Sequence, residues 1–176
     1  TNEAYAIAKI AGIKMLEYYN KQHKLKGVSV MPCNLYGPND NYDLNNSHVI
    51  AAILRKVATA KNKNKKQIHL WGDGSAKREF MHVDDAARAI IHVIKKTKEY
   101  RLFNIGSGEE VSIKQLAKIV SEIAKYSGKI IWDTTYPNGT PRKILDISKL
   151  KKTGFRNKID LQRGIKNIYK SLSNTF

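Results

Sequence analysis

The run GVSVMPCNLYGP, Gly27 to Pro38, decides the fold of this chain. Its first half is short and β-branched, with Val28 and Val30, and proline and glycine turn formers stop it, so it reads as a strand. On its amino side, residues 3 to about 24 follow a helical pattern that puts Ile7, Ala11, Met15 and Tyr18 near one side. On its carboxyl side lies the polar loop NDNYDLNNS, and Ser47 is predicted to cap a helix through Val49, Ile53 and Val57. The same alternation continues outward. QIHLW is a strand entering the turn Gly72 to Ser75, and Asp84 or Asp85 is expected to cap a helix through Ala89, Ile90 and Val93. RLFNIGSG is another strand and turn. Ser112 with Gln115 then forms a capping box ahead of Leu116, Ile119 and Ile123. KIIWDT is a strand, YPNGTPRK an irregular loop, and a last helix from near Asp160 carries Leu161, Ile165, Ile168 and Leu172. Strands separated by helices argue an α/β fold. The strands are too few for a complete doubly wound nucleotide domain together with a substrate domain.

Composition bounds the possibilities. With 176 residues, 41% hydrophobic and 27% charged, the chain can bury a real core and is not disordered. No apolar run approaches the roughly 20 residues of a membrane span, and the start does not resemble a signal peptide. Cys33 is the only cysteine, so no internal disulfide forms, which fits a reducing cytoplasm. The formal net charge of +17 first suggests nucleic acid. The lysines, however, are dispersed along the chain, and even the dense run Lys61 to Lys66 reads as a solvated loop. Such a charge also favours a small polyanion such as a dinucleotide or nucleotide sugar.

Tyr5 and Lys9 stand four apart on one helical face. Tyrosine near neutral pH is a poor acid unless a cation helps it, so the pair is either an acid with its electrostatic helper or plain helix surface. His48, at a helix start, is either a proton exchanger near neutral pH or a capping residue. His23, His69 and His92 are expected at surface or strand positions, and His82 in a structural role. No group of His, Cys and carboxylates has metal-ligand spacing, so no metal is expected. The closest approach to a dinucleotide glycine fingerprint, GSGEEV, has Val111 at its third glycine position and reads as a strand-to-helix turn.

The ordered set MPCNLYGP, SHVI, WGDGSAKREFMHVDDAARA, NIGSGEEVSI and NGTPRKILD resembles the extended short-chain dehydrogenase/reductase family of nucleotide-sugar enzymes. Within that family the resemblance is to the GDP-L-fucose synthases, which are GDP-4-keto-6-deoxy-mannose 3,5-epimerase-4-reductases. NLYGPNDNYDLNNSHVI and the pairing of WGDG with REFMHVDD are its most specific pieces. It runs over essentially all of this chain, but over only the carboxy-terminal half of such an enzyme.

The resemblance implies the end of a Rossmann-type sheet plus a small mixed α/β substrate-binding lobe. Residues 1–40 would end the nucleotide-binding domain, and residues 41–176 would mainly form the lobe, with segments returning to the Rossmann part. It implies NADP as cofactor, a GDP-sugar as substrate, a homodimer built on the first helix, and no nucleic-acid or membrane partner. Tyr5 would donate a proton to the 4-keto oxygen, while Lys9 would hold the nicotinamide ribose and keep the tyrosine acidic. Pro32, Cys33, Asn34 and Leu35 would line the nicotinamide side, with Asn34 also touching the sugar, and His48 would exchange protons during epimerisation. Cys33 has no catalytic role in this reading and is expected to be a buried small hydrophobe. Lys56, Trp71, Arg78, Asn138 and Lys143 would contact substrate, with Lys56 and Asn138 departing from the arginine and acidic residue of the closest relatives.

The activity so implied is 3,5-epimerisation and NADP-dependent 4-keto reduction of a GDP-4-keto-6-deoxy sugar to GDP-L-fucose or a related GDP-sugar. The upstream glycine-rich half would be needed for turnover. A 4-epimerase or dehydratase of the same superfamily is the runner-up. A non-catalytic nucleotide-sugar-binding or dimerisation module is the reading from another class.

Overall fold

The computed structural model describes residues 2–98 and 100–172, and among these it contains six helices and eight strands. Helix α1 spans Glu3–His23, and the decisive run that follows is two strands, β1 (Val28–Pro32) and β2 (Asn34–Tyr36). The single strand expected there is broken at Cys33, whose N–H donates to the Ile105 carbonyl at 2.8 Å. From that point the chain changes partner. β1 pairs in parallel with β5 (Arg101–Ile105), whereas β2 pairs in parallel with β4 (Lys77–His82).

β4 is the hub of the fold. Its end, Phe80 to His82, pairs with β2, while its start pairs antiparallel with β6 (Glu110–Ser112) and in parallel with β8 (Arg142–Lys143). A third, separate sheet joins β3 (Gln67–Trp71) to β7 (Lys129–Asp133) in parallel. Strands β4 and β6 and the short helix α5 (Ser148–Lys152) are additions to the elements expected from sequence.

Helices α2 (Val49–Asn62), α4 (Ile113–Ala124) and α6 (Leu161–Leu172) pack with β3 and β7 around one core that includes Ile53, Val57, Leu116, Val120 and Ile165. A second core gathers α3 (Val83–Lys96), β5 and α5 through Ala89, Val93, Phe103, Ile105 and Leu150, and Val28, Val30 and Leu35 pack against it.

Local signals decide the helix starts, with two corrections. The Ser112–Gln115 capping box forms as expected: the serine hydroxyl accepts from the Gln115 N–H, and the Gln115 side chain accepts from the Ser112 N–H. Ser47 does not cap α2. Its N–H is drawn back to the Asp43 carbonyl at 2.7 Å, so His48 becomes the N-cap, with no side-chain cap bond. The Ser47 hydroxyl is left buried without a hydrogen-bond partner. Neither Asp84 nor Asp85 caps α3. That place belongs to His82, whose Nδ1 accepts the Asp84 N–H at 3.2 Å, so the structural role expected for His82 is that of a cap.

Helix α1 is the exception to good packing. None of its residues is buried, and apolar side chains lie on every side of it. Ile13 and Leu16 face the body of the molecule and are half-buried, whereas Ile7, Met15 and Tyr18 point the other way and are exposed. A helix that is apolar all round belongs in an interior.

Candidate functional site

The partner change at Cys33 is a switch point of the strands, the position where a ligand crevice is expected. In open α/β sheets, ligands bind outside the carboxyl ends of strands where neighbouring strands part company, and here Pro32, Cys33, Asn34 and Leu35 occupy that position. Asn34 is anchored there by donation from its side-chain amide to the Glu79 carbonyl at 3.0 Å. Cys33 is half-buried against the second core, and burial, with the Glu79 carboxyl adding to it, pushes its thiol up to about 12. The charge of Lys143 opposes that rise, so this lysine acts electrostatically on Cys33. With so little thiolate, Cys33 is expected to react with iodoacetamide at pH 8 on the order of a thousandfold more slowly than a free thiol. Labelling at the rate of glutathione would contradict this picture of the crevice.

A second feature lies on the α2–β3 side. A cavity of about 220 Å³ is walled by Val49, Ile53, Leu70 and Ile113, with Ser47, Lys56 and Trp71 among its other lining residues. Lys56 comes from α2. Its ammonium donates to the His69 carbonyl at 2.8 Å and sits 5.7 Å from the Trp71 ring centre, and burial lowers its pKa. Trp71 is not a core residue: it is 58% exposed and stacks on Tyr136 with ring centres 4.5 Å apart at 8°. An exposed, preformed aromatic pair beside an ammonium suits a flat, anionic ligand better than it suits stability.

The loop carrying Tyr136 is held by two residues expected to touch substrate. Asn138 accepts the Asp73 N–H at 2.8 Å, and a Cβ on Gly72, at φ +76°, would lie 2.3 Å from the same oxygen. Arg78 donates to the carbonyls of Thr140 at 2.6 Å and Lys77 at 2.8 Å, and it forms no ion pair among the described residues. Lys143 is in register with Arg78 across the β4–β8 pair and is exposed. Trp71, Arg78, Asn138 and Lys143 thus gather around one turn and one loop, with Lys56 behind them.

Tyr5 and Lys9 lie on the open face of α1. Tyr5 is 67% exposed, and the Lys9 ammonium stands 5.3 Å from its ring centre. Among the described residues no hydrogen bond or ring contact joins this pair to His48 or Asn34. His48 is exposed at the start of α2, one residue from the cavity-lining Ser47. Of the other histidines, His92 is held by Thr153 at 3.0 Å, and His69 is exposed on β3.

Two carboxyls that support the site carry no sequence cue beyond the REFMHVDD motif. Glu79 is fully buried, and its two oxygens accept the Gly108 N–H at 2.7 Å and the Leu145 N–H at 2.9 Å. A Cβ on Gly106 would lie 2.2 Å from that carboxyl, and Gly108 has φ +76°, so both glycines of GSGEEV serve a turn, as their spacing suggests. Asp85 accepts the N–H groups of Lys158 and Ile159 and pairs with Arg88. Polar letters in a strand argue against burial, which is why β4 hides both itself and Glu79 from a pattern reading. Tyr136 is missed because its partner, Trp71, is distant in sequence.

Comparison with known proteins adds three relatives and one family. The family model described as the NAD dependent epimerase/dehydratase family matches residues 1–106. The chain is 49% identical over 169 residues to a protein named putative GDP-L-fucose synthase 2 of Arabidopsis thaliana, covering 96% of this chain and 52% of that protein. It is 44% identical over 178 residues to the GDP-L-fucose synthase of Escherichia coli strain K12, covering 96% and 56%. Among solved structures it is similar to MlghC, a GDP-mannoheptose C4 reductase from Campylobacter jejuni with NADP bound, at TM-score 0.86 and 30% identity, covering 98% of this chain and 60% of that one. The chain spans about half the length of the curated relatives it matches.

Proposed function

Because the chain belongs to the NAD dependent epimerase/dehydratase family, we propose that it is the substrate side of an NADP-dependent enzyme acting on a GDP-4-keto-6-deoxy sugar. The reaction is inversion of the carbons beside the ketone followed by reduction of the carbonyl, giving GDP-L-fucose or a related GDP-sugar. The observation that carries this reading is the cavity where Lys56 and Trp71 meet, with Arg78 and Asn138 on the adjoining turn and loop. The named activities of the similar proteins support it.

The residues present fit a nicotinamide on the strand-end crevice, since Pro32 and Leu35 offer apolar contacts and Asn34 a fixed carboxamide. A glycine-rich pyrophosphate turn is not part of these 176 residues, and this reading takes it from an upstream half. NADPH, when bound, supplies the hydride. Lys9 holds the ribose hydroxyls, and Tyr5 gives its phenolic proton to the carbonyl oxygen as that oxygen gains charge. His48 exchanges a proton at the carbon beside the ketone, and the opposing group is assigned to the upstream half rather than to Cys33. Lys56 and Lys143 balance the diphosphate.

We assign residues 1–40 to the nucleotide-binding side, together with the segments β5, α3 and α5 that pack on β1. The remainder forms the lobe. The outward face of α1, with Ile7, Met15 and Tyr18 exposed, is assigned to a two-fold contact with a second copy. No described helix is long and apolar enough to cross a membrane. The site is assigned a cytoplasmic, small-molecule role.

Calorimetry with GDP and UDP tests the nucleotide, and NADPH oxidation with a 4-keto-6-deoxy GDP-sugar tests the chemistry. GDP is expected to bind at least roughly tenfold more tightly than UDP, a difference of about 1.4 kcal/mol. NADPH oxidation is expected only once an upstream nucleotide-binding half is joined to the chain. A preference for UDP would move the protein to the 4-epimerases. Absence of turnover in the completed protein would leave a binding or dimerisation module.

A further inference from the structure

The charge of this chain is not evenly spread. Among the described residues, a concavity of about 680 Å³ at the start of β5 is lined by nine, and five of them are cations: Lys96, Lys98, Arg101, Lys149 and Lys152. Lysine and arginine make up 32 of the 176 residues, so the concavity is about three times richer in cations than the chain as a whole. A different concavity, lined by Glu109, Glu110 and Asp160, has no cation among its described lining residues.

Two neighbouring acids bear on the balance. Asp146 has its carboxyl held below the usual range by the Ser148 N–H first, and by Lys149 and Lys152 in addition. Glu99 adjoins the site in sequence and lies outside the described residues. Setting both acids against the five cations still leaves three positive charges in excess. Like charges held together around one hollow repel each other, so an anion entering it relieves that cost.

The hollow is remote from the candidate site. β1 and β5 run parallel from this end toward Pro32 and Ile105, so the concavity and the crevice lie at opposite ends of the same strands. An occupant here does not compete with a nucleotide sugar there.

We propose that this concavity binds a short chain of linked phosphates. A single phosphate reaches only the cations within a few ångströms, whereas these five are spread around a wide hollow that a linear polyanion spans. Lysines act as point charges that accept phosphate in many orientations, and Thr97 and Thr153 add hydroxyls to the lining. The one aromatic residue lining the hollow, Phe103, is buried in the second core, so no open ring is offered for a base to stack on. The recognition is therefore of phosphate, and the concave shape suits a compact chain rather than a nucleic-acid strand.

Titrating inorganic tripolyphosphate into the 176-residue chain at 50 and 200 mM salt tests this. Binding is expected at low salt, weakening as salt rises. The exposed double substitution Lys149→Gln with Lys152→Gln is expected to lower affinity roughly tenfold, as the loss of two surface charge contacts would. The charge-matched pair Lys63→Gln with Lys65→Gln, in the exposed α2–β3 loop, is expected to change it less than twofold. Absence of tripolyphosphate binding at 50 mM salt overturns the proposal, as does equal weakening by both variants. So does tighter binding per phosphate of a 16-nucleotide single strand through Lys149 and Lys152.

Discussion

Alanine at position 79 is expected to cost the chain about 3–6 kcal/mol, a large share of the 5–15 kcal/mol that holds a typical domain together. Glu79 is fully buried on the hub strand, and its carboxyl takes one N–H from the β5–β6 turn and another from the approach to α5. Removing it leaves two part-buried backbone donors without their acceptor and opens a void at a fully buried position. Glutamine keeps an acceptor for one donor but turns an amide toward the other, so Glu79→Gln should cost about half as much. Denaturant midpoints of the two variants against the parent check this ordering. A Glu79→Ala protein within about 0.5 kcal/mol of the parent would show that the carboxyl carries no such burden.

The second large effect concerns catalysis. In a protein completed with its upstream half, Tyr5→Phe is expected to lower kcat for keto reduction by a factor of about 10²–10⁴, the usual contribution of a positioned acid. KM, GDP binding and thermal stability should hardly change, because the ring stays and 67% of the residue is exposed. Lys9→Met should produce a smaller fall in kcat and a weaker hold on cofactor. Full turnover with phenylalanine would reduce the pair to a surface cation–π contact like that of Tyr18 with Lys21.

Much of this architecture is legible without coordinates. α1, β3, β5, β7 and the Ser112 box follow from signals confined to a few neighbouring letters, and the structure places them where those letters suggest. What escapes are mainly features fixed by distant partners. The break at Cys33 depends on the Ile105 carbonyl; the displacement of the α2 cap from Ser47 to His48 is instead local, set by the Asp43 carbonyl four residues back. β4 escapes because Glu79, a polar letter inside a buried strand, is satisfied by backbone far along the chain, while the buried His82 accepts the nearby Asp84 N–H of the helix it caps. At the candidate site, it is the family resemblance, not local pattern, that points to Lys56, Trp71, Arg78 and Asn138. Their internal engagements, and the stacking of Tyr136 on Trp71, emerge only from the fold.

Those engagements have a consequence for how a ligand would enter. Nη1 of Arg78 already donates to the carbonyl of Thr140, so a diphosphate that claimed that nitrogen would displace a piece of the protein's own main chain. Occupancy and the order of residues 134–141 then become a single equilibrium, and a mutation that merely loosens that segment would sharpen binding without touching the guest.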